Sequence, residues 1–251
     1  MAFDINPNIE IEHICRWTKS YFTQNGNPTT KAIIGMSGGK DSTIAAALLC
    51  KAIGPERVYG VIMPDGEMED KVLAIEICEK LGMEYEICDI QEPLKALYSH
   101  TLKSDYSEKY AVKTNTPARI RMTVLYAIAA AIGGRVVNTC NYSEDYVGFS
   151  TKYGDLAGDF SIFKNYPVRW VRMIGEALEL PLEWIYKVPS DGMCGSSDES
   201  VFGFTYEILD KYLIENVLPE DEKIFQKIQE MHNRNRHKEV INLPAPKSGL
   251  V

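Results

Sequence analysis

The chain contains no C-x-x-C pair. Its six cysteines, Cys15, Cys50, Cys78, Cys88, Cys140 and Cys194, stand at spacings that fit neither a zinc site nor a redox motif. It also lacks any run of about 18 apolar residues, the minimum for a membrane-spanning helix. The N-terminal MAFDINPNIE has neither the basic nor the apolar region of a signal peptide. These absences predict a cytoplasmic protein with free thiols and no membrane partner. Positive charge is in deficit: 27 Lys and Arg against 35 Asp and Glu give a formal net charge of -8. That balance argues against a broad nucleic-acid surface. Local anion sites built from backbone N–H groups and helix N-termini remain open to it. No internal repeat or low-complexity segment is present.

What is present is the composition of an ordinary globular chain. Of 251 residues, 45% are hydrophobic and 25% charged, enough for a core without disulfides or structural metal. Ile9, Ile11, Ile14, Trp17 and Phe22 recur at roughly helical spacing and predict a helix over 8–23, ended by the turn-rich QNGNPTT. KAIIGM (31–36), VYGVIMP (58–64), EYEICDI (84–90) and RVVNTC (135–140) read as buried parallel strands. Helices are expected from Ser42 to the Gly54-Pro55 stop, over 68–82 with Gly82 as C-cap, over 93–103, and over 117–134 with Pro117 in the first turn. Residues 104–116 are polar and read as mobile, and 141–160 as an irregular, functional segment. After an amphipathic helix at 167–180 and a polar loop at 188–200, the C-terminal part reads as helical. Strand–helix alternation predicts an α/β fold with a doubly wound parallel sheet, the helical part following it.

The most informative stretch is IIGMSGGKDS, residues 33–42. It is not the common phosphate loop G-x-x-x-x-G-K-[ST], because Lys40 is followed by Asp41 and Ile34 stands where the first Gly belongs. At the end of a parallel strand, Gly38 and Gly39 allow close approach of an anion. Ser37 and Ser42 offer hydroxyls, and the next helix points its N-terminus at the ligand. The bland alternative is a tight Gly-Gly turn capped by Asp41. A carboxylate inside a phosphate loop repels phosphate unless a divalent cation lies between them, so Asp41 implies Mg²⁺.

The S-G-G-x-D-S pattern resembles the pyrophosphate loop of the ATP pyrophosphatases. Four further segments are similar to NAD synthetases: NTPARIRM (115–122), NTCNYSEDYVGFSTKYGD (138–155), KVPSDGMCGSSDESVFGFTYEILDKYL (187–213) and the late His237-Lys238. With the loop they span most of residues 31–240 in the expected order. The resemblance implies a Rossmann-like sheet of the adenine nucleotide alpha hydrolase type. It implies that Ser37, Gly38, Gly39, Asp41, Ser42 and Thr139 bind ATP and its pyrophosphate, and that Asp41 and Glu144 hold Mg²⁺. Lys152 and Asp155 become the catalytic pair, with Asp155 orienting ammonia or taking its proton. Arg119, Tyr126, His237 and Lys238 become substrate contacts. Taken alone, several of these have plainer readings. Glu144 reads as a solvated loop acid, Lys152 and Asp155 as a surface ion pair, and Tyr126 with Met122 as core or interface. Only one of Arg119 and Arg121 can face inward, since residues two apart do not share a helix face. The chain also departs from the family pattern. Asn138 replaces a glycine, Val168 and Arg169 stand where a lysine is usual, and Glu239 stands where an arginine is usual.

The resemblance implies adenylation of the nicotinate carboxylate of deamido-NAD by ATP, then displacement of AMP by ammonia. One domain over 1–251, with no glutaminase domain and no cysteine at the chain start, implies free ammonia as the nitrogen source. The resemblance also implies a homodimer, to which the Ala-rich helix 117–133 is suited, although core packing is an equal reading of that helix. Two rivals share the loop. A tRNA-modifying ligase of the same superfamily is disfavoured by the charge of -8 and the missing C-x-x-C. A non-catalytic nucleotide sensor needs neither Asp41 nor Glu144.

Overall fold

The computed structural model describes residues 4–67, 70–101, 103–187 and 198–238. Helix α1 (Pro7–Asn25) is capped by the Asn6 side chain, which accepts from the backbone N–H groups of Asn8 and Ile9. Of its expected apolar face, Ile11, Ile14 and Phe22 are buried. Ile9 and Trp17 remain exposed, because 3.6-residue periodicity carries them to the outer side. Then follow β1 (Ala32–Gly35), α2 (Lys40–Ile53), β2 (Val58–Ile62), α3 (Asp70–Leu81), β3 (Glu84–Ile87) and α4 (Gln91–Ala96), which widens into a π turn over Leu97–Thr101. Next come α5 (Ser104–Ser107), α6 (Tyr110–Ile132), β4 (Arg135–Asn138), α7 (Tyr142–Val147) and β5 (Phe160–Ser161). The C-terminal part is helical: α8 (Val168–Ala177), α9 (Leu182–Ile185), α10 (Asp198–Phe202), α11 (Tyr206–Glu215) and α12 (Glu222–Asn235), closed by a 3-10 turn over Arg236–Lys238.

The sheet is the expected doubly wound one, with strand order β3-β2-β1-β4-β5 and every pairing parallel. Successive side chains of a strand face opposite sides. Ile34 of β1 therefore joins the core under α1, α2, α3 and α8, while Ile33 joins the one under α4 and α6. Burying a side chain such as Leu48 or Leu49 of α2 contributes roughly 1.5–3 kcal/mol each. A third cluster, Val147, Val168, Phe202, Phe204, Tyr206, Leu209 and Ile228, joins the C-terminal helices to α7. Among the described residues no helix is long and apolar enough to cross a membrane.

Three local expectations need correction. Residues 104–116 are mostly helical, and α6 begins at Tyr110, so Pro117 lies inside it. Proline has no N–H for the i–4 carbonyl and normally breaks a helix. Here the helix continues through Pro117, which is buried and offers no N–H to the Lys113 carbonyl. The segment 141–160 contains α7, held by a capping box between Asn141 and Glu144, as well as the two-residue β5. Expected features at 188–197, including Cys194, and at Glu239 lie outside the described residues.

Candidate active site

Strands β1 and β4 are neighbours, and the chain builds outward from β1 through β2 and β3 on one side and from β4 to β5 on the other, which makes this pair the switch point of the sheet. Two connections meet there, Met36–Gly39 after β1 and Thr139–Asn141 after β4. Gly38 adopts φ 75°. A Cβ at that position would stand 3.0 Å from the Asp70 carbonyl oxygen, so glycine is required on both grounds. Ser37 and Ser42 place their hydroxyl oxygens 3.1 Å apart, and Ser37 Oγ accepts from the Gly39 N–H at 3.2 Å. Helix α2 has Gly39 at its N-cap, with no side-chain cap. Its first-turn N–H groups are thus suited to an anion.

Behind the loop, the carboxylates of Asp41 and Glu144 face one cation. Lys40 Nζ donates to Asp41 Oδ2 at 2.7 Å and lies 3.9 Å from Glu144 Oε1. The lysine side chain is 3% exposed, against 18% and 15% for its partners. Burial alone would lower the Lys40 pKa, but the two carboxylates outweigh it and hold the pKa above the usual lysine value. Asn141 Nδ2 donates to Asp41 Oδ1 at 3.2 Å, and the Asn141 side chain caps the helix that carries Glu144. The two acids therefore occupy one electrostatic unit although they lie far apart in sequence.

Beside this unit opens a cavity of about 580 Å³. Apolar Met63, Met122, Leu125 and Val137 line it together with the cations Arg121, Arg234 and Lys238. That combination suits a purine ring with attached phosphates. Arg121 donates to the Met63 carbonyl at 3.0 Å, and burial lowers its pKa. Asp155 lies on the wall. Its side chain is open to the cavity, while protein surrounds it elsewhere. Burial pushes its pKa up, against hydrogen bonds that include the Thr151 N–H at 2.9 Å to Oδ1.

Of the residues singled out in the sequence, Ser37, Thr139, Asp155 and Lys238 line the cavity. Gly38, Gly39, Asp41, Ser42 and Glu144 form the adjoining loop and carboxylate pair. Lys152 donates to the His237 carbonyl at 2.7 Å. Lys238 Nζ donates to the carbonyls of Gly148 (2.7 Å) and Ser150 (3.0 Å). The last turn thereby fastens the loop over 148–155. Burial lowers the Lys238 pKa, with the Asp155 carboxylate opposing. Arg119 is exposed and donates to the Lys152 carbonyl at 3.2 Å, whereas Arg121 takes the inward position. Tyr126 lies on the outer side of α6 and donates to Asp159 Oδ1 at 3.3 Å. His237 is exposed.

The NAD synthase family model matches residues 10–242. The chain belongs to the NAD synthase family. The NH(3)-dependent NAD(+) synthetase of Methanococcus aeolicus is 37% identical over 201 residues, 78% of this chain and 79% of that one. The enzyme of the same name from Archaeoglobus fulgidus is 34% identical over 234 residues, 91% of this chain and 92% of its own. The solved structure of NMN synthetase from Francisella tularensis superimposes with a TM-score of 0.86 at 31% identity, covering 97% of this chain and 100% of that one.

Within this NAD synthase fold, sequence reasoning missed Lys40, Arg121, Arg234 and Asn141. Asn141 carried a legible signal, since Asn three residues before Glu144 is a helix-start signature. Arg169, considered in place of the family lysine, pairs instead with Asp4 and Glu215 at the surface, and Val168 is buried in the third apolar cluster.

Proposed function

We propose that this chain amidates deamido-NAD with free ammonia, consuming ATP and releasing AMP and pyrophosphate as a C–N ligase. The observation that carries the reading is the S-G-G-K-D-S loop at the β1/β4 switch point, next to a cavity lined by Thr139, Asp155 and three cations. The names of the relatives support ammonia as the nitrogen source. In the first step the nicotinate carboxylate attacks the α-phosphorus, and the bond to the bridging α–β oxygen breaks. The α2 N-terminus, Gly38, Gly39, Ser37 and Ser42 hold the departing pyrophosphate. Arg121, Arg234 and Lys238 offset charge on the phosphates. In the second step ammonia attacks the activated carbonyl, AMP leaves with the bonding electrons, and the nitrogen gives up a proton. Asp155 accepts that proton or orients the nitrogen, and its raised pKa makes it a better base than a surface carboxylate.

Asp41 and Glu144 fit Mg²⁺. They are hard oxygen donors aimed at one cationic point, and Mg²⁺ commonly takes one or two carboxylates together with phosphates. Bound there, the ion would neutralise pyrophosphate charge. Arg119, Tyr126, His237 and Lys152 are assigned to the open side, where the dinucleotide would extend and a second copy of the chain would pack as a homodimer. The chain acts as a single domain in the cytoplasm, without nucleic acid.

A second reading concerns the acceptor. The closely superimposing Francisella protein is an NMN synthetase. The corresponding acid precursor is nicotinate mononucleotide, amidated by the same two steps. The test is to supply ATP, Mg²⁺ and ammonium with deamido-NAD, and separately with nicotinate mononucleotide, then to repeat both with glutamine. Equimolar amide product, AMP and pyrophosphate with ammonium and deamido-NAD support the first reading. A kcat/KM higher for the mononucleotide replaces it with the second. AMP release only with tRNA, or no cleavage at all, would overturn both.

Asp155→Asn is expected to lower the ammonium-dependent step by about 10²-fold while ATP–pyrophosphate exchange persists. The ionised carboxylate is the active form, and its folded pKa is raised. Activity of the wild type should therefore fall, as pH drops, at a higher pH than an ordinary carboxylate would give. The variant should lose that acid limb. Equal loss of exchange and amidation would discard the role.

A further inference from the structure

We infer that Asn138 is a positioning residue for the ammonia step, holding the segment 151–159 that carries Asp155. This rests on the reading of Asp155 given above. Asn138 ends β4 and is buried. An amide side chain in a core is costly unless its donors and acceptor are matched, and here they are. Nδ2 donates to the Asp155 carbonyl at 2.7 Å and to the Ala157 carbonyl at 3.2 Å. Oδ1 accepts from the Cys140 N–H at 3.1 Å and from the Ser161 hydroxyl at 3.0 Å.

One side chain on a rigid central strand thus fixes two backbone carbonyls of the loop while being fixed itself by β5 and by the residue after Thr139. The loop lies directly on it. A Cβ at Gly158 would stand 2.8 Å from both the Asn138 Cβ and its backbone nitrogen, so the approach needs glycine there. Cys140 adds a weaker thiol donor to the same Asp155 carbonyl at 3.3 Å. The Asp155 carboxylate then has its own tie, to the Thr151 N–H. The backbone of Asp155 is consequently placed from the end of β4, and its side chain by the loop together with a long contact from the Cys140 thiol to Oδ2 at 3.8 Å. Val136 of the same strand holds the far end of the segment, exchanging hydrogen bonds with Asp159 at 2.7 and 2.8 Å, so Asn138 is the strand side chain that sets the position of Asp155 itself, where about 1 Å of misplacement can cost 10²-fold.

The experiment compares Asn138→Ala and Ser161→Ala with wild type. Ser161→Ala removes one support of the amide with little change to the core, and it covers the case in which Asn138→Ala fails to fold. Amide hydrogen exchange over 151–159 is measured, together with ATP–pyrophosphate exchange and the KM for ammonium. The expected result is faster exchange confined to that segment, a rise in ammonium KM of about tenfold or more for Asn138→Ala, a smaller rise for Ser161→Ala, and unchanged pyrophosphate exchange. A merely structural role would lower both partial reactions together. Unchanged hydrogen exchange in the variant that folds would overturn the clamp. Faster exchange with an unchanged ammonium KM would overturn the link to the ammonia step and, if Asp155→Asn is also silent, locate the fault in the reading of Asp155.

Discussion

Lys40→Met will lower the stability of the metal-free protein by about 3 kcal/mol, the lower end of the range for breaking a buried ion pair. The lysine is 3% exposed and is the cation shared by Asp41 and Glu144. Methionine fills much of the volume and leaves two carboxylates facing each other. The lower end applies because both acids keep some contact with solvent, at 18% and 15% exposure. For a chain of this size the loss corresponds to a fall in melting temperature of roughly 6–12 °C. Millimolar Mg²⁺ should restore part of it in the variant and add less to the wild type, since the ion offers the charge that the lysine no longer does. The pH dependence has a definite sign. The folded pKa lies above the ordinary value of 10.5. The stabilisation is therefore complete at neutral pH and lost only as pH rises through the folded value. A variant as stable as wild type, with no greater response to Mg²⁺, would show that Lys40 is not the counter-ion of the pair.

Asp41→Asn will reduce ATP–pyrophosphate exchange and amidation alike, by on the order of 10²- to 10³-fold, the scale of losing one charge-stabilising group. Both steps fall because adenylation precedes amidation. This separates the variant from Asp155→Asn, which spares exchange. The substitution will also affect folding. An asparagine can still accept from Asn141 Nδ2 through Oδ1, but its amide nitrogen then faces Lys40 Nζ, which donates to Asp41 Oδ2 in the wild type. Two donors meet, and Lys40 keeps only the more distant Glu144. Measured together, turnover and melting temperature distinguish the two effects. Excess Mg²⁺ should raise the wild-type exchange rate much more than that of the variant. Turnover within a few-fold of wild type would refute the assignment of Asp41 to the metal.

The main lines of the fold were legible because their signals are local. Ile33 and Ile34 sit in a short run that a buried strand requires. Gly38-Gly39 after it, and a helix after that, fix a βα turn. Gly133 takes the left-handed conformation that ends α6. The errors arose where packing overrides local preference. Residues 110–116 are helical as the first turns of α6, where Asn115 Oδ1 accepts from the Thr151 hydroxyl at 2.9 Å, a tertiary contact with no local signature. Two-residue β5 is too short to leave a periodic pattern, and it exists because β4 offers it an edge.

The sequence by itself determined the loop chemistry: glycines where backbone must approach an anion, and an acid that calls for a cation. It also determined, through five motifs in order, the family to which the chain belongs. Only the tertiary structure decided which charges act together. Lys40 and Asp41 are adjacent in sequence, but Glu144 joins them because β1 and β4 are neighbours in the sheet. Arg121 rather than Arg119 faces the cavity because α6 lies with one side on the strands. Asn138 reaches Asp155 because the chain folds back across the end of β4. Such pairings depend on strand order and helix rotation, which are set by burial summed over the whole core and leave no mark in any short segment.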